Sequence, residues 1–66
     1  MQGLQIGQFG RFVFTMEKDS QSHPFDIEGT EIKEMDHHHI WLEDLEGVVY
    51  NVKKMDVKLF EEMERK

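Results

Sequence analysis

The chain has 66 residues, with 14 acidic against 8 basic side chains, a formal charge of −6 and no cysteine. A chain of this length forms one small domain over 1–66 and buries only about 60% of the surface its unfolded form exposes, so its core is small. The missing cysteines exclude disulfides and thiolate zinc sites, and the acidic balance argues against general nucleic-acid binding, which rests on Lys and Arg neutralising phosphates.

Met1 to Gly10 has neither the basic start nor the apolar run of a signal peptide. No stretch approaches the roughly 20 apolar residues that cross a bilayer. A soluble, cytoplasmic protein without membrane contact is expected. Gly3, Gly7 and Gly10 lack the Lys-Ser/Thr of a phosphate loop and the spacing of a dinucleotide fingerprint. They read as turns and a bend.

Arg11 to Met16 is rich in aromatic and β-branched residues and predicts a strand with Phe12, Phe14 and Met16 on one face. Lys18 to Ser22 reads as a polar loop closed by His23-Pro24, with Pro24 biasing His23 away from helix. Phe25-Asp26-Ile27 alternates until Gly29, and Thr30 to Met35 continues the strand. Ile32 and Met35 lie three apart, so strict alternation breaks. A bulge near Lys33-Glu34 turns both inward, and a short helical turn is the competing reading.

The strongest prediction is a hairpin around Asp44-Leu45-Glu46-Gly47. Asp at the first position and Gly at the fourth suit a type I turn followed by a left-handed glycine. With Asp44 opposite Val48, Leu42 faces Tyr50 and Ile40 faces Val52, which places all the apolar residues on one face. At the C-terminus, Val57 and Leu59 alternate as in a strand, whereas Met55, Leu59, Phe60 and Met63 fall at helical spacing. A last strand around Val57–Leu59 running into a short helix is set against one helix from about residue 56, for which Glu61, Glu62, Glu64 and Lys66 are good formers. The expected core is Phe12, Phe14, Ile27, Ile32, Ile40, Leu42, Val48, Tyr50, Val52, Leu59 and Phe60.

Strand, loop, long bent strand, hairpin and short final element resembles the small SH3-like and Sm-like barrels. The resemblance implies a mostly β fold, a small partly open barrel of four or five antiparallel strands. It carries no family motif and implies no function.

Three candidate sites follow. The run His37-His38-His39, read as strand, sends His38 to one face and His37 and His39 to the other. Three consecutive strand positions cannot close on one ion, so neither a metal nor a cofactor is expected. Catalysis is not expected either, because Ser20 and Ser22 stand in no nucleophile turn and no base is oriented beside them. Trp41 shares the outward face with His37, His39 and Glu43, diagonal to Val49. A tryptophan and a valine within an acidic surround suit a protein partner or self-association, and the competing reading is that a second element covers Trp41. The acids are dispersed between apolar positions, as on an ordinary solvated surface. Lys53, Lys54 and Lys58 are few for a nucleic-acid platform and read as ordinary surface. The leading expectation is a non-enzymatic protein–protein interaction module, a small regulator, inhibitor or accessory subunit, with a nucleic-acid-binding small barrel as the alternative and a His-dependent metal-binding protein as the second.

Overall fold

The computed structural model describes residues 1–65. Five strands run β1 (Phe9–Lys18), β2 (Gln21–Met35), β3 (His39–Glu43), β4 (Val49–Lys53) and β5 (Val57–Glu62), with one 3₁₀ turn over Lys54–Asp56. They form a single antiparallel sheet in the order β4-β3-β2-β1-β5, not closed into a barrel. There is no α-helix among the described residues.

The sheet curls because its strands are bent at bulges. On β2, Phe12 pairs with Ile27 but Gly10 pairs with Thr30, so one extra residue is accommodated there. Gly29 takes the left-handed conformation such a bulge needs, with φ +71°. A second bulge lies between Ile32 and Glu34, as the spacing of Ile32 and Met35 predicts. The third skips Lys58: Phe12 pairs with Phe60 and Phe14 with Val57. Each bulge lets residues three apart face the same side.

That side is the core. Phe12, Phe14, Ile32, Ile40, Leu42, Val52 and Val57 are buried there, with Leu4, Met16, Phe25, Ile27, Met35, Tyr50 and Phe60 packed against them. Curling brings the far strand back over the sheet. Tyr50 of β4 meets Phe14 of β1 and Phe25 of β2 edge-on, each at 5.9 Å, and Phe14 stacks on Phe25 at 5.2 Å. Thr30, opposite Gly10, is also buried, and its hydroxyl has no hydrogen-bond partner among the described residues.

The β3–β4 hairpin has the predicted register. Leu42 faces Tyr50, Ile40 faces Val52 and Trp41 faces Asn51. The Asp44 amide donates to the Val48 carbonyl, and the Gly47 amide to that of Asp44. Asp44 Oδ1 accepts from the Glu46 and Val48 amides, and its Oδ2 accepts from the Tyr50 hydroxyl.

Four expectations are corrected. Val48 and Leu59 are not core: they are 45% and 39% exposed. Val48 sits at the turn, beyond the core face, and the bulge at Lys58 turns Leu59 outward with Val13 while admitting Val57. The polar loop at 18–22 is a two-residue turn, Asp19-Ser20, both left-handed, with Lys18 paired to Gln21. Pro24 is inside β2, opposite Thr15, where β2 pairs with β1 alone. The C-terminal helix is replaced by β5, because Phe60 packs on Phe12 at 4.7 Å and Val57 seals the core. Lys66 lies outside the described residues.

Candidate interaction surface

The histidine run does not lie in one strand. Met35 pairs with Ile40, and His37 and His38 make the tip of the β2–β3 turn. The Asp36 carboxylate organises that turn. Its Oδ1 accepts from the His38 and His39 amides at 2.9 and 2.7 Å, and the Asp36 amide donates to the His39 carbonyl. The two backbone amides hold the Asp36 carboxyl below the usual carboxylate range, helped by the nearby His39 ring. His37 and His38 stand edge to face at 4.7 Å.

This overturns the placement of His37 beside Trp41 on a strand face. His37 lies in the turn, and only His39 begins β3. On β3 the alternation places His39, Trp41 and Glu43 outward, opposite the buried Ile40 and Leu42. His39 and Trp41 have ring centroids 6.3 Å apart. Across the ladders, Trp41 pairs with Asn51 on one side and Glu34 on the other, and Glu43 pairs with Val49. Trp41 is half-buried by these neighbours, and Val49 is 56% exposed. β5, the element that might have covered this face, pairs with β1 at the opposite side of the sheet.

The turn at His37-His38 also abuts the end of β4. The Lys54 amide donates to the His38 carbonyl at 2.8 Å. Between them lies an open recess of about 440 Å³ lined by His37, His38, His39, Lys53, Lys54 and Met55. No carboxylate lines it. Among the described residues, no three His, Cys, Asp or Glu side chains form a group able to hold a metal ion.

Elsewhere both arginines are paired with carboxylates. Arg11 forks onto Asp26 through Nε and Nη2, each at 2.7 Å, and reaches Glu61 with Nη1, so one guanidinium ties β2, β1 and β5 together. Its hydrogen bonds to Asp26 lower that carboxyl's pKa and raise that of Arg11. Arg65 pairs with Glu31 at 2.9 Å and lies 4.7 Å from the Phe9 ring centroid. Sequence reading missed all three pairs, because each joins residues remote along the chain.

No helix among the described residues is long and apolar enough to cross a membrane. Comparison with protein-family models, with curated proteins and with solved structures finds no match.

Proposed function

We propose that this chain is a non-enzymatic protein–protein interaction module of the cytoplasm, built on an SH3-like partly open barrel, that binds a protein partner or a second copy of itself through the outward face of β3 and β4. The strand order β4-β3-β2-β1-β5 and the long bent β2 support the barrel reading. The observation that carries the interaction reading is half-buried Trp41 beside His39 and exposed Val49 on the outward face of β3 and β4, which β5, paired with β1, does not extend. Tryptophan anchors interfaces out of proportion to its frequency, and a small domain gains from burying such a face against a partner. Glu43 and Glu34 rim the patch and set its polarity.

The test compares the wild type with Trp41→Ala and with Val49→Asp. Oligomeric state is measured by sedimentation equilibrium, and retained proteins are identified after capture from the native host. The reading expects either self-association or one specific partner, weakened at least tenfold by both substitutions. Unchanged association in both variants contradicts it.

A further inference from the structure

We infer that the recess between the β2–β3 turn and the end of β4 is a receptor for an anionic side chain, carboxylate or phosphate, carried by the partner polypeptide. The inference rests on the interaction reading and names the chemistry of the segment that docks. The protein is acidic as a whole, yet its cations are unevenly used. Arg11, Arg65 and Lys33 are each engaged by carboxylates. Lys18, Lys53, Lys54 and Lys58 make no ion pair among the described residues, and of these Lys53 and Lys54 stand together, lining the recess with three histidines. Asp36 and Asp56 adjoin these residues along the chain but do not line the recess: Asp36 Oδ1 is taken by the backbone of the turn and stands 3.5 Å from His39 Nδ1, and Asp56 lines the neighbouring hollow.

The positions of these groups are fixed by the fold. The bond from the Lys54 amide to the His38 carbonyl clamps the turn against the 3₁₀ segment, so that residues of both line one hollow. Met55, 75% exposed, adds an apolar wall. Such a hollow suits a side chain with an apolar stem and an anionic end: the stem rests on Met55 and the rings, and the charge meets Lys53, Lys54 and imidazole N–H donors. His39 belongs both to the recess and to the Trp41 row, so one extended segment lies across both.

A nucleic-acid strand fits less well. Its charge repeats along the backbone, and on leaving the recess it meets Glu34 and Glu43 on one side and Glu17 and Asp56 on the other. A single anionic side chain avoids those carboxylates.

The experiment is a ¹H–¹⁵N NMR titration of the whole protein at low salt with three probes: a six-residue peptide carrying one glutamate among uncharged residues, the same peptide with phosphoserine in its place, and an eight-residue oligothymidylate. The inference expects saturable shifts from the peptides confined to residues 37–39 and 53–55, weakened at least tenfold in Lys53→Ala/Lys54→Ala. Tighter binding of the phosphoserine peptide than of the glutamate peptide assigns phosphate, and the reverse order assigns carboxylate. All the altered side chains are outside the core, and the remainder of the spectrum verifies the fold. Absence of saturable shifts from both peptides overturns the inference, as does tighter binding of the oligothymidylate at these residues. If peptide shifts are absent while association still depends on Trp41, the recess assignment alone fails. If the shifts persist while association ignores Trp41, the docking reading fails instead.

Discussion

Gly10 lies directly against the backbone of Glu61: a Cβ on Gly10 would stand 2.0 Å from the Glu61 carbonyl oxygen. Backbone, not a flexible side chain, occupies that space. Gly10→Ala is therefore expected to pry β1 from β5 and cost about 3 kcal/mol, read from urea unfolding. Gly47 offers the comparison. Its φ is +84° but the space around it is open, so Gly47→Ala is expected to cost about 1 kcal/mol through backbone strain alone. A larger loss at Gly47 than at Gly10 would contradict this account.

The buried Thr30 hydroxyl has no hydrogen-bond partner among the described residues. A desolvated and unsatisfied hydroxyl lowers stability. Valine has the same shape, is apolar and suits a strand. Thr30→Val is expected to raise the unfolding free energy by about 1 kcal/mol. Loss of stability instead would mean that the hydroxyl has a partner in solution.

Asp19 and Ser20 form the β1–β2 turn with φ of 54° and 65°. Two successive left-handed residues define the tight hairpin turn that favours Asn-Gly. Replacing Asp19-Ser20 by Asn-Gly is expected to add about 1 kcal/mol, chiefly through relief at Ser20. An unchanged melting temperature would count against the left-handed pair.

Acid should loosen both hairpin turns. Asp36 is held low by the His38 and His39 amides. Burial raises the Asp44 carboxyl, but the Val48 amide, the Tyr50 hydroxyl and the Glu46 and Gly47 amides outweigh it and leave it lowered. A carboxyl with a depressed folded-state pKa contributes stability above its unfolded value, about 4, and loses it as pH falls toward the folded value. Stability should therefore fall below about pH 4, and Asp36→Ala and Asp44→Ala should each flatten that dependence. A slope in this range that neither substitution alters would refute the assignment.

The β3–β4 hairpin was legible because two independent signals agree there: the Asp44-to-Gly47 turn chemistry and the alternation of Ile40, Leu42, Tyr50 and Val52. The bulge before Met35 was legible for a related reason, since only an extra residue turns both Ile32 and Met35 inward. The same rule explains the main misreading. The helical spacing of Met55, Leu59, Phe60 and Met63 misled, since only Phe60 of the four packs on the core, and the inward pair is Val57 and Phe60, three apart across a bulge. Nothing local distinguishes the helix from the bulged strand, and the choice is made by the edge of β1, whose Phe12 and Phe14 receive that pair.

The geometry of the candidate face was legible in part. Alternation along β3 correctly grouped His39, Trp41 and Glu43. It failed at His37 because the β2–β3 turn contains no Gly, Pro or Asn to mark it. A signal was nevertheless present. Met35 and Ile40 both face inward yet are an odd number of residues apart, so an unbroken strand could not have joined them. Asp36 stands at the head of its turn as Asp44 does at the next. The recess could not be foreseen, since it depends on the contact of Lys54 with His38 across the fold.

The chain has a single tryptophan, so its fluorescence reports on the proposed docking face alone. The most direct test is acrylamide quenching of Trp41 in the dilute protein and in the complex or oligomer isolated with it. The account predicts ready quenching in the dilute protein and at least about a threefold smaller quenching constant once the face is occupied. Equal quenching in the dilute protein and in every complex would contradict it.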